Sequence, residues 1–121
     1  MNNFQLLSPS EEKVALVIWE MEPMTSTELV AIAAKRWDWK RTTTFTILGR
    51  MVEKGVIQNQ NATLTSLVGR DEYYTHQSRT FVKDVYGGSL PQFVASFIGE
   101  KKIDEKLAAE LKRLIDDHLE G

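Results

Sequence analysis

Residues 37–55 read Trp37-Asp38-Trp39-Lys40-Arg41-Thr42-Thr43-Thr44-Phe45-Thr46-Ile47-Leu48-Gly49-Arg50-Met51-Val52-Glu53-Lys54-Gly55. The spacing predicts a helix from about Lys40 to Lys54 with two unlike faces. Thr44, Ile47, Leu48, Met51 and Val52 recur at the interval of a core-facing stripe. The other face carries Arg41, Thr42, Phe45, Thr46 and Gly49, with Lys40 and Arg41 at its start. A solvated helix face would normally carry Glu–Lys pairs instead. Hydroxyls and arginine reach base edges and phosphates, and an apolar ring can meet a thymine methyl, so this face suits the major groove of a duplex. Gly55 is a natural left-handed stop.

Upstream, Ser8-Pro9-Ser10-Glu11 predicts a helix start: Ser8 caps, Pro9 suits the first helical position and Glu11 completes a capping box. Val14, Leu16, Val17, Ile18 and Met21 supply the apolar body, Trp19 is expected in the core, and Glu22-Pro23 ends the helix. Thr25 to Glu28 is a second capping box, opening a short helix with Leu29, Val30, Ile32 and Ala33 that ends near Arg36. Trp37 to Trp39 is then a turn. Downstream, Val56–Gln60 and Thr63–Leu67 are β-prone runs separated by Asn61-Ala62, which predicts a small hairpin. The order helix, helix, turn, helix, hairpin is that of a winged helix-turn-helix over residues 1–69. A small α+β domain without a nucleic-acid role shares that order, and the polar face and basic cluster speak against it.

The 121-residue length fits one domain or one domain with an appendage, and 42% apolar content excludes wholesale disorder. No run of about 18 apolar residues suggests a membrane span. The first residues lack a basic segment followed by an apolar one, so no secretory signal is expected, and a cytoplasmic location is. Cysteine is absent, which excludes disulfides, thiolate metal sites and cysteine nucleophiles. The net charge is −2, but its distribution is uneven. Lys35, Arg36, Lys40, Arg41, Arg50 and Lys54 face only Asp38 and Glu53 between residues 35 and 54. Such a patch neutralises phosphates locally; an ordinary surface of uneven charge gives the same count.

From Arg70 three helices are predicted: Arg70 to about Tyr86, Ser89 to about Ile98 after the Gly87-Gly88 break, and a last one capped by Asp104. They are few and apolar on one side, and make a poor separate core. A second copy of the chain would cover them, so residues 70–121 are expected to form a homodimer. The expected interface residues are Phe81, Val85, Tyr86, Leu90, Phe93, Phe97, Leu107, Leu111, Leu114 and Ile115. A two-fold dimer matches palindromic DNA.

Three segments resemble one family. Leu7 to Trp19 resembles the first helix of the BlaI/MecI penicillinase-repressor family, including its Ile-Trp ending. Asp38-Trp39, the Thr43–Ile47 run and Arg50–Gly55 look like its recognition helix, whose usual form is Thr, two residues, Thr-Leu, closed by Arg-Leu-Val-Lys-Lys-Gly. Ser78 to Leu90, with Tyr86-Gly87-Gly88, resembles the family's segment after the hairpin, and the acidic Leu-rich tail also matches. The resemblance spans nearly the whole chain in order. It implies a cytoplasmic dimeric repressor with an N-terminal winged helix, a helical dimerisation part and a two-fold symmetric operator. Some members act under a membrane sensor protease system that triggers repressor proteolysis, and one branch senses copper through C-terminal cysteines.

This chain departs from the family in two places. Its hairpin has neither the usual Gly-Arg turn nor the run of tyrosines, and Gln58 to Ser66 contains no Lys or Arg. Few phosphate contacts are expected there. Without cysteine, copper sensing by that chemistry is excluded. By position the family's cleavage site falls at Ser96-Phe97, although Phe97 is more simply read as a dimer-core aromatic.

Thr42, Thr43, Phe45 and Thr46 are the base-reading candidates, and Lys40, Arg41 and Arg50 the phosphate candidates. Thr43 as a local helix-start residue, Phe45 packed on the wing and the bases simply solvated are the competing assignments. Trp39 is expected to pack under the third helix. His76 and His118 lie far apart, so no metal site is expected, and no catalytic template or cofactor either. Glu11-Glu12 and Asp116-Asp117 look like helix-end charges. A second class stays open: a dimeric protein-interaction module on the same scaffold with weak or lost operator binding, favoured by the uncharged wing.

Overall fold

The computed structural model describes residues 3–120. The elements are α1 (Pro9–Met21), β1 (Met24–Thr25), α2 (Ser26–Trp37), α3 (Arg41–Glu53), β2 (Ile57–Gln60), β3 (Thr63–Ser66), α4 (Arg70–Tyr86), α5 (Leu90–Ile98) and α6 (Glu105–Asp117). The chain forms two compact units divided between Arg79 and Thr80, and α4 runs through the division. This is the mainly helical, winged helix-turn-helix class that the sequence predicts.

Both capping boxes form. Ser8 Oγ accepts from Glu11 N at 3.3 Å while Ser8 N donates to Glu11 Oε1 at 2.9 Å. Thr25 Oγ1 accepts from Glu28 N at 3.1 Å, and Thr25 N donates to Glu28 Oε1 at 3.2 Å. Each satisfies donors that a helix start leaves unpaired. Asp38 closes α2 in the left-handed conformation, φ 56°, and turns the chain into α3 with Lys40 as the capping position. Short polar side chains tolerate that conformation best after glycine.

The hairpin pairs Ile57 with Ser66 through Gln60 with Thr63. Its turn places Asn61 at φ 53° and Ala62 at φ 65°, two successive left-handed residues as a two-residue reversal requires. A third strand was not foreseen. Met24 and Thr25 pair with Leu64 and Thr63, which puts β3 in the centre of a sheet ordered β1-β3-β2. Two residues are too few to show a period. Ser26 N also donates to Ala62 O at 2.9 Å, so the tip of the wing is tied to the start of α2.

The core of the first unit gathers Val14, Ala15, Val17 and Ile18 from α1, Leu29 and Ala33 from α2, and Ile47, Leu48 and Met51 from α3. Met24, Ile57 and Leu64 close it from the sheet. Phe4 from the N-terminal arm and Tyr73 from the first turn of α4 complete it. Val52 departs from the expected stripe and is 42% exposed, because Thr44, Ile47, Leu48 and Met51 already fill the contact and position 52 lies a further 100° round the helix. Leu16 and Met21 are likewise exposed: residues 14, 15, 17 and 18 form the inward side of α1, and Met21 is its last residue. Trp19 is partly buried, and its Nε1 donates to Val68 O at 2.9 Å.

The second unit is built differently. Phe81, Tyr86, Phe93 and Phe97 form a chain of ring contacts with centroids 5.6–6.0 Å apart, joining the end of α4 to α5. Tyr86 Oη donates to Ser96 Oγ at 2.9 Å. No described residue from Thr80 onward is buried.

Candidate nucleic-acid interface

The four buried residues of α3 fix which side of the helix faces outward. Lys40, Arg41, Thr42, Thr43, Thr46 and Arg50 are all exposed, as is Gly49. Among the residues expected to face DNA, Phe45 alone is half-buried. It packs against the edge of the core, and the Arg41 guanidinium lies over its ring at 4.9 Å. Phe45 is therefore not the free apolar side chain that the sequence suggested; it supports Arg41 and restricts its rotamers. Such a stack is worth about 0.5–1 kcal/mol at an exposed site.

Two hydroxyls turn back onto the helix. Thr46 Oγ1 donates to Thr42 O at 2.9 Å and Thr44 Oγ1 to Lys40 O at 3.4 Å. No side chain caps the start of α3, and its first turn contains no acid. The leading backbone N–H groups of α3 thus sit beside Lys40 and Arg41, an arrangement that favours an anion. Lys35 and Arg36 extend the exposed basic surface from the end of α2. The Trp37 and Trp39 rings meet with centroids 4.8 Å apart, tilted by 49°, and both pack against the core, which keeps Trp39 out of the outward face.

Lys54 behaves unlike the other bases of the patch. Its Nζ meets Glu11 Oε1 at 2.6 Å, and Glu11 is 2% exposed. Burial alone would raise the Glu11 carboxyl. The bonds from Lys54 and Ser8 together with the Lys54 charge outweigh burial and hold the carboxyl below its ordinary value. The sequence marks Glu11 as a capping-box residue and a helix-end charge, and it does cap α1. Its partner stands 43 residues away, a distance no local pattern reveals.

The far end of α3 is held by the N-terminal arm. Gln5 N donates to Lys54 O at 2.9 Å, and a Cβ on Gly55, φ 80°, would lie 3.1 Å from Asn3 O. The arm is fastened again where Leu7 N donates to Tyr73 Oη at 2.7 Å. Phe4 contacts Tyr73 and His76 with ring centroids at 5.9 and 5.0 Å. Burial pushes the Tyr73 phenol up despite the Leu7 bond. The wing adds no charge; Gln58 Nε2 donates across the hairpin to Thr65 Oγ1 at 3.0 Å.

In the second unit Phe81, Val85, Leu90, Leu107, Leu111, Leu114 and Ile115 are exposed, Phe97 is 82% exposed, and Tyr86 and Phe93 are half-buried. A groove of about 530 Å³ runs between α5 and α6, walled by Phe93, Phe97, Ile103, Leu107 and Leu111. Among the described residues no helix is long and apolar enough to cross a membrane. No group of three or more His, Cys, Asp or Glu gathers as metal ligands there either.

Three helices and a small sheet, with the third helix outward, basic and free of acids in its first turn, define the winged-helix DNA-binding class. The penicillinase repressor family model matches residues 7–117, and the chain belongs to that family. It is 23% identical over 122 residues to a penicillinase repressor of Bacillus licheniformis, covering 98% of this chain and 95% of that protein. A Staphylococcus aureus penicillinase repressor is 23% identical over 115 residues, covering 92% and 91%. The solution structure of the DNA-binding domain of the repressor BlaI matches with a TM-score of 0.51 at 23% identity. It covers 60% of this chain and 94% of that domain.

Proposed function

We propose that the chain is a homodimeric transcriptional repressor in which α3 enters the major groove of a two-fold symmetric operator. The observation that carries this is the outward side of α3: Arg41 braced on Phe45, exposed Thr42, Thr43 and Thr46, and an uncapped start flanked by Lys40. Thr42, Thr43, Thr46 and the exposed part of the Phe45 ring meet bases, while Lys40, Arg41 and Arg50 hold phosphates. Residues 1–69 act as the DNA-binding part and 70–121 as the dimerisation part, with the first turn of α4 lending Tyr73 to the core of the former. The unburied apolar side chains beyond Thr80 support a partner copy, and two tethered readers bind far more tightly than one.

Inactivation by cutting at Ser96-Phe97, under a membrane sensor protease system, would remove α6 and weaken the dimer. That bond lies inside α5, so cutting requires the helix to open. A nine-residue helix is marginal by itself.

The test is a gel shift with two-fold symmetric DNA from upstream of the chain's own gene. Specific binding abolished by Arg41→Ala and by Thr46→Ala supports the proposal. Equal binding to random DNA, unaffected by either change, overturns it. That outcome favours a dimeric protein-interaction module, the second role that the uncharged wing supports.

A further inference from the structure

We infer that Glu11 and Lys54 are a positioning pair that sets how α3 is presented to DNA, and that Lys54 does not itself bind phosphate. The inference rests on α3 being the DNA-reading helix. Lys54 directly follows the last residue of α3 and belongs to the basic cluster around it, so charge alone would enrol it as a phosphate contact. Geometry assigns it elsewhere. Its Nζ engages a carboxylate that is 2% exposed, and this is the one ion pair among the described residues.

The same carboxylate oxygen accepts from Ser8 N, so Glu11 caps α1 and anchors the end of α3 at once. Were Lys54 to swing out to a phosphate, Glu11 would keep only its Ser8 bond and stay charged in the interior without a counter-charge, which is unfavourable. Lys40, Arg41 and Arg50 carry no such commitment. Backbone reinforces the anchor from the other side, through Gln5 N on Lys54 O. The C-terminal end of α3 is thereby pinned to α1 and to the arm. A recognition helix must be held to within about 0.5 Å to present its side chains productively.

The experiment measures operator affinity of the full chain against salt for the wild type, Lys54→Met, Glu11→Gln and the double variant. A lost phosphate contact flattens the plot of log K against log salt by about 0.9. We expect Lys54→Met to weaken binding about tenfold or more at every salt concentration, with an unchanged slope. The double variant, which removes both charges, recovers to within about threefold of wild type. A slope flattened by about 0.9 in Lys54→Met, no loss of affinity there, or no recovery in the double variant overturns the inference. Should Lys54→Met fail to fold, the double variant decides: a wild-type slope supports the pair and a flattened one overturns it. Arg50→Ala serves as the phosphate comparator. Absence of specific binding by the wild type would instead sink the DNA-reading assignment of α3, and this inference with it.

Discussion

Up to Arg79 the chain encloses an interior of its own; from Thr80 no described residue is buried. Among the described residues every buried hydrophobic one lies at or before Tyr73, while Phe81, Val85, Leu90, Phe97, Leu114 and Ile115 are open on the other unit. Both units are helical and both have amphipathic sequences, so secondary structure does not separate them. What separates them is whether three helices and a sheet can converge. Where they do, side chains bury one another. Where two short helices follow the end of a third, there is too little material to close a core. The first unit closes on its own residues, and the second leaves its apolar side chains open.

Replacing Leu111 by Asp should break that contrast most severely. A charge at the apolar seam is expected to weaken self-association by about 3–5 kcal/mol, on the order of a thousandfold, while the first unit keeps its fold. Sedimentation showing an intact dimer in this variant would refute the seam. Tyr73→Ala attacks the other side of the comparison. It removes a fully buried ring and the acceptor for Leu7 N, and should cost the first unit about 3–5 kcal/mol in denaturant melts while leaving self-association unchanged.

Glu11→Gln has a smaller effect with a distinctive pH dependence. The folded carboxyl is held below its ordinary value of about 4.5, so it stabilises the fold at pH values above that ordinary value. This contribution is lost as pH falls through the lower folded value. The variant should be less stable by about 1.5–3 kcal/mol at neutral pH. Melts at successively lower pH should show its deficit closing in acid. The smallest effect is expected at Gly49, where a Cβ would meet nothing within 4 Å. Gly49→Ala should raise melting stability by about 0.5–1 kcal/mol. If operator affinity falls in that stabilised variant, this turn of α3 faces the duplex; unchanged affinity places the contact nearer the start of the helix.

The fold was readable wherever its determinants are local. Ser8 with Glu11, Thr25 with Glu28, the stripe through Thr44, Ile47, Leu48 and Met51, and the Asn61 turn all depend on residues a few positions apart. The hidden parts depend on distant partners. β1 exists only because β3 lies beside it, and the buried Glu11 finds its charge partner in Lys54, 43 residues away. Nothing local marks Tyr73 as a core residue, yet it plugs a core that reaches back to Phe4 and to Val14, Val17 and Ile18 of α1, more than fifty positions upstream. At the interface, periodicity gave the outward direction of α3. It did not give the packing of Phe45, since that depends on the neighbouring core and on Arg41.

The Thr46 hydroxyl has one further consequence. Its proton is already engaged with the Thr42 carbonyl, so the oxygen turned to solvent offers lone pairs and no donor. In a groove such an atom accepts from an exocyclic amino group and has nothing to give a carbonyl. With α3 in the groove as proposed, that one position would favour adenine or cytosine edges over guanine or thymine.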